Sequence, residues 1–205
     1  MIRPGWVVGW LIALIGASPC LAMNNYDDPR VVLSYMDQSI EPARDILRLT
    51  TDASEGGGLV FQVKMRGDGS EAGHQDYLLL QVWQERAHQW LVPLDPDAGL
   101  PVLAYQGRGA STAGSPSLSS GPLNASPHRA EFTSKHIARG VEFAVPLSWL
   151  DYGKKIGFDA YTVSGRVRGD SFVVEKIHDR AAKGDRAARR ISPITLLNNL
   201  CATRR

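Results

Sequence analysis

Leu59-Val60-Phe61-Gln62-Val63-Lys64-Met65 alternates strictly. Leu59, Phe61, Val63 and Met65 fall on one face, and Val60, Gln62, Lys64 and Arg66 on the other. A period of two cannot line one side of a helix, whose apolar stripe repeats every 3.6 residues. The segment predicts a half-buried strand. Comparable runs recur along the chain. Ile46 to Thr51 precedes it, across a turn at Asp52 to Gly58 rich in Gly, Asp and Ser. Arg66-Gly67-Asp68-Gly69-Ser70 is the next turn. Tyr77 to Gln84 and Gln89 to Leu94 predict two strands joined by Glu85-Arg86-Ala87-His88. Val141 to Ser148, Ile156 to Val163 and Ser171 to Ile177 complete the set, with turns at Asp151-Tyr152-Gly153 and Gly165 to Asp170. Short strands with regular turn signals and no long helix predict an all-β chain, an antiparallel β-sandwich of jelly-roll-like form.

The ends of the chain read differently. Arg3 followed by the apolar run Trp6 to Ala17 and by Cys20-Leu21-Ala22 has the form of a signal peptide cut after Ala22. The run is short for a membrane span. A periplasmic or secreted protein is expected. Met23 to Arg205, 183 residues, suffices for one core. Cys20 would leave with the leader. Pro19, standing where a lipidation signal needs a small residue, argues against a lipid anchor. Cys201 then stays as a single thiol, either buried or available for an intermolecular bridge.

Gly107 to Pro127 holds 13 Gly, Ser or Pro in 21 residues and no apolar period. It predicts a flexible insertion within the sandwich domain of residues 23–177. From Met23 to Glu175 the chain carries 14 Lys and Arg against 19 Asp and Glu; from Lys176 to Arg205 it carries 8 against 2. Residues 178–205 are thus a basic tail. Ser192-Pro193 resembles a helix start, and Ile194, Leu197 and Leu200/Cys201 fall at helical spacing. This predicts a short amphipathic C-terminal helix, docked on its own domain or presented to a protein partner. Exported basic tails suit polyanionic glycans, anionic membranes or acidic proteins, and no nucleic-acid partner is expected.

Asp45-Ile46-Leu47-Arg48-Leu49 with Gly58 to Val63 is similar to the opening of DOMON-like and family-9-type carbohydrate-binding sandwiches. Tyr77 to Val82 resembles their next strand. Val141-Glu142-Phe143-Ala144-Val145-Pro146-Leu147-Ser148-Trp149-Leu150 resembles a late strand, and Gly157-Phe158-Asp159 to Val163 the one after it. The resemblance implies a sandwich that binds sugars or, in some members, b-type haem.

With Glu85 to His88 as the loop, Gln84 pairs with Gln89 and Trp83 with Trp90. Trp83, Trp90, Tyr77 and Gln81 then share one face, while Leu78, Leu80, Val82 and Leu91 enter the core. An exposed pair of indoles makes a platform for the C–H faces of sugar rings, with Gln81 or His88 as hydrogen-bonding neighbours. The alternative is that this face is covered and the tryptophans are core. Haem would need axial ligands, and Met65 is the candidate only in that case. No metal site is expected, since Asp95-Pro96-Asp97 and Asp27-Asp28 lack a full calcium-loop pattern and the histidines lack zinc spacing. No G-x-S-x-G, P-loop or Rossmann pattern occurs. The expectation is a non-enzymatic binding module, without cofactor, for a carbohydrate or cell-envelope component through the Trp83/Trp90 face. The alternatives are a haem b electron-transfer domain and an accessory subunit of an envelope complex held by its tail.

Overall fold

The computed structural model of the chain describes residues 30–54, 58–108, 132–169, 171–181 and 190–197. Residues 1–29, which include the expected leader, residues 109–131, which include most of the expected insertion, most of the basic tail and Cys201 lie outside them. The described residues form an antiparallel two-sheet sandwich. One sheet contains β1 (Val31–Leu33), β2 (Ile46–Ala53), β3 (Gly58–Met65), β7 (Thr133–Ile137) and β8 (Gly140–Pro146), in the order β1-β2-β3-β8-β7. The other contains β4 (Asp76–Trp83), β5 (Arg86–Pro93), β6 (Leu103–Arg108), β9 (Ile156–Arg168) and β10 (Ser171–Arg180), in the order β10-β9-β4-β5-β6. A two-residue strand, β11 (Arg190–Ile191), also pairs with β9.

β3 fulfils its alternation: Leu59, Phe61, Val63 and Met65 are buried, while Val60, Gln62 and Lys64 are only partly so. Its inner residues meet Phe143 and Val145 of β8 and the inner face of the second sheet, Leu78, Leu80, Val82, Trp90, Val92 and Phe158. Phe61 packs edge-on against Phe158 at 5.4 Å. Seven expected strands are present. β9 continues through Gly165 to Arg168, where a turn was expected, and Gly169 takes the positive φ of +56° that turns the chain into β10.

The middle of the second sheet, β4 with most of β5 and the first half of β9, is buried on both faces. Tyr77, Leu79, Leu91, Tyr105, Tyr161, Val163 and Phe172 form a separate cluster on its outer side. A polar row crosses that cluster: Gln89 pairs with Gln81, and Gln81 with Asp159. Asp159 accepts from Arg180 Nε at 2.6 Å and from Ala160 N at 2.9 Å. Burial pushes its carboxyl above 3.8 despite the Arg180 charge. Burial beside Asp159 also raises the Tyr161 phenol.

The tail returns to its own domain. β11 pairs with the start of β9, and Leu196 of the short helix α1 (Pro193–Leu197) is fully buried in the inner core. The inward face therefore holds Pro193 and Leu196, and Ile194, expected to face inward, is 64% exposed. The expectation of helix on to Leu200 and Cys201 lies outside the described residues.

At the end of the sandwich where β4 begins, buried Asp76 anchors the 3-10 turn Pro42–Arg44. It accepts from Arg44 Nε at 2.7 Å, Gly73 N at 2.8 Å and Ser164 Oγ at 2.5 Å. Ser164 Oγ in turn receives His178 Nε2. Burial pushes the Asp76 carboxyl up, but the bonds from Ser164, Arg44 and Gly73 outweigh it and leave it below 3.8. Burial and the Arg44 charge hold His178 below its ordinary 6.5. Both groups bind fewer protons folded than unfolded, so acid destabilises the fold through each. Stability is expected to decline as pH falls below about 6.5 through His178, and again below about 3.8 through Asp76. His178→Gln should flatten the first decline in urea midpoints measured against pH; an unchanged slope would remove His178 from this role.

Candidate functional site

The other end of the sandwich opens into a pocket of about 160 Å³. Its walls are Val82, His88 and Trp90 from the inner face of the second sheet, Val145 from the first, and Trp149, Leu150 and Ile156 from the β8–β9 connection and the start of β9. Trp83 lines it from the end of β4. Gln84, Glu85, Asp151 and Lys154 form the polar rim.

The pocket exists because two distant turns are tied together. Gln84, at the β4–β5 turn, donates from Nε2 to the carbonyls of Asp151 (2.8 Å) and Lys154 (3.0 Å) and accepts from Asp151 N at 2.9 Å. Lys154 Nζ meets Glu85 Oε1 at 2.6 Å and Asp151 Oδ2 at 3.1 Å. The Gly153 N–H, then Lys154, lower the Asp151 carboxyl; Glu85, then Asp151, raise the Lys154 ammonium. These rim pairs are solvated, so they orient the turn more than they stabilise it.

The inner wall is aromatic. The Trp90 ring lies nearly parallel to Phe132 at 4.7 Å and to Trp149 at 5.5 Å, and His88 stands 5.0 Å from Trp149. Two indole donors, Trp83 Nε1 and Trp90 Nε1, are buried and have no hydrogen-bond partner among the described residues. An unpartnered buried N–H costs about 1–3 kcal/mol.

The expected hairpin register is corrected here. Trp83 pairs with Ala87, Gln81 with Gln89 and Leu80 with Trp90. The turn is Gln84-Glu85-Arg86, not Glu85 to His88, and the shift by an odd number of residues puts every β5 side chain on the opposite face. Trp90 and His88 therefore join the inner core side, and Leu91 joins the outer cluster. Trp83 and Trp90 are not a cross-strand pair and form no exposed platform: they are 5% and 1% exposed. Of the five expected ligand-binding residues, Trp83, His88 and Trp90 meet at the pocket. Tyr77 lies at the opposite end of β4, edge-on to Phe172 at 5.1 Å, and Gln81 is buried in the outer polar row. Sequence reasoning on the hairpin missed Trp149, Asp151 and Lys154. The available signal was a tryptophan beside the Asp-Tyr-Gly turn, in a connection with no apolar period.

A haem held by Met65 and His88 does not fit. Met65 is 2% exposed in the inner core and sits at the far end of β3 from Leu59, which pairs with the pocket residue Val145. Six strand residues span about 20 Å. The two side chains lie toward opposite ends of the sandwich and cannot share an iron. His178 and His136 are engaged by Ser164 and by the Pro93 carbonyl.

Comparison with known protein families, curated proteins and solved structures gives no match.

The burial of both tryptophans has a measurable consequence. Trp90→Ala should cost about 3–5 kcal/mol in urea unfolding. Gly157→Ala should cost about 1–3 kcal/mol by overpacking, because a Cβ there would stand 2.4 Å from Trp83 Cε2. Losses under about 0.5 kcal/mol, typical of surface substitutions, would mean that the indoles are not packed as described.

Proposed function

We propose that this chain is an exported, non-enzymatic binding module for a carbohydrate or cell-envelope component, with the mouth pocket as its site. The observation that carries the reading is the combination in one cleft of aromatic walls and a charged rim. Apolar walls with a few placed polar groups are the usual chemistry of small-ligand sites. Sugars match it, because their C–H faces pack on aromatic rings while their hydroxyls need donors and acceptors. The volume is below the roughly 300–1,000 Å³ of pockets that enclose drug-sized ligands. It suits one ring, or the end of a chain, rather than a long groove of subsites.

The site differs from the expected flat platform in being a socket. Trp149, only partly buried, is its most accessible indole. The leader-like first 22 residues support export, and the sandwich is the fold that the resemblance to DOMON-like and family-9-type modules implies.

Affinity electrophoresis through gels containing soluble cellulose derivatives, xylan, glycol chitin or solubilised peptidoglycan tests the reading. Wild-type protein should be retarded by at least one glycan. Trp149→Ala should abolish that retardation while leaving the urea midpoint within the range of half-buried substitutions. Retardation by none of them, or undiminished retardation of a folded Trp149→Ala variant, would overturn the assignment of the pocket.

A further inference from the structure

We infer that the end of the first sheet opposite the mouth is a docking surface for a lipid bilayer with anionic head groups. The inference is independent of the pocket and its ligand. Register places the surface. Leu33 of β1 pairs with Arg48 of β2, and Arg48 with Lys64 of β3. Leu49 and Val63, next to them along the strands, are buried in the inner core, so this row stands on the outer face. Arg139, at the tip of the β7–β8 hairpin, lies at the same end. Its carbonyl accepts from Met65 N at 2.8 Å, and Lys64 Nζ donates to the neighbouring Ala138 carbonyl at 2.7 Å. The segment after β1 crosses this end too, because Arg66 Nη2, just past β3, donates to the Asp37 and Ile40 carbonyls. That segment carries Tyr35 and Met36, which are 64% and 54% exposed; Leu33 is 41% exposed.

Two features of this surface cost stability. Like charges directly opposite each other on a sheet repel, and Arg48 stands opposite Lys64. Arg139 takes a φ of 51°, where glycine or asparagine would offer the same carbonyl with less strain. Arg48 and Arg139 make no ion pair among the described residues, whereas Arg44, Arg66, Lys135 and Arg180 each hold a carboxylate. The acids beside the row are engaged: Asp45 by Arg66, Glu142 by Lys135 and Asp37 by Ser39. The surface thus sets uncompensated positive charge beside exposed Leu, Tyr and Met. Head-group phosphates relieve the repulsion, and each Lys or Arg near an anionic bilayer adds about fivefold to partition. Leu33, Tyr35 and Met36 supply the apolar contact with the boundary between head groups and acyl chains. A soluble polyanion would satisfy the cations and leave the three apolar side chains in water, and lysine is depleted at protein–protein interfaces. A bilayer takes both parts of the surface.

The test is sedimentation of the full chain with vesicles of phosphatidylcholine, alone or mixed in equal parts with phosphatidylglycerol. The quantity read is the preference for anionic over neutral vesicles, in which any apolar leader common to every sample cancels. Wild type should prefer the anionic vesicles by about a hundredfold at low salt, and lose most of that at about 1 M salt, where the screening length is about 3 Å. Arg48→Gln with Arg139→Asn should reduce the preference to about fivefold or less. That variant should keep or raise the urea midpoint, because it removes the like-charge pair and places a residue suited to positive φ. Tyr35→Ser with Met36→Ser should weaken binding to the anionic vesicles by about fivefold or more. Lys155→Gln removes an exposed cation in the β8–β9 connection at the mouth end, and should change the preference by less than about twofold. No preference in wild type, an unchanged preference in the arginine variant, or a comparable loss in Lys155→Gln would overturn the bilayer assignment. Sensitivity to the arginines with none to Tyr35 and Met36 would make the row a site for soluble polyanions and overturn it as well.

Discussion

Burial of β4 on both faces is the constraint from which the rest of the structure follows. Every residue from Asp76 to Trp83 is buried, with Leu78, Leu80 and Val82 in the core between the sheets and Tyr77 and Leu79 in the cluster outside them. A strand with one wet face tolerates a polar residue on that face without further provision. A strand with none needs a partner for each polar group it carries, because an unsatisfied one is costly in a low-dielectric interior. Asp76 meets that need with Arg44, Gly73 and Ser164, and Gln81 lies in a row between Gln89 and Asp159. The register is fixed by two cores at once. A slip of one residue would exchange the contents of both.

The same constraint explains what was legible in the sequence. β3 was readable in full, because a sheet wet on one side writes its geometry as alternation, and Leu59 to Met65 alternates without a fault. β4 was readable as a strand but not as a face. Tyr77-Leu78-Leu79-Leu80 is apolar on both sides, which is the mark of a strand buried on both faces and leaves its orientation undetermined. The hairpin was therefore assigned from turn length alone. A three-residue turn in place of a four-residue one reversed β5 relative to β4, and with it the placing of Trp90, His88 and Leu91. The short strands β1, β6 and β7 were invisible for another reason. They are edge strands of three to six residues, and β6 runs into the Gly- and Ser-rich stretch that hides its pattern.

The candidate site was half legible. Trp83, His88 and Trp90 stood out as chemistry on a hairpin, and they do meet. The other half comes from the β8–β9 connection, which no local pattern joins to that hairpin. The joining is done by one glutamine: Gln84 reaches the backbone of Asp151 and Lys154, 67 and 70 residues further along the chain. Such side chain-to-backbone bonds are sequence-tolerant at the far end, since any residue offers a carbonyl. Nothing in the composition of the connection marks it as their target.

The crossing pattern of the sandwich also dictates an order of assembly. β4, β5 and β6 follow one another and form by local hairpins, whereas Gln62 meets Glu142 after 80 residues and Asp76 meets Ser164 after 88. Pairings of such long range place a fold among those that form in milliseconds to seconds rather than microseconds. Until β8 and β9 arrive, β3 and β4 each present an open edge of unpaired N–H and C=O groups, with apolar faces on both sides of β4. A chain stopped short of residue 140 holds two sticky three-stranded half-sheets, β1-β2-β3 and β4-β5-β6, and its fate is decided by whatever shields their open edges first.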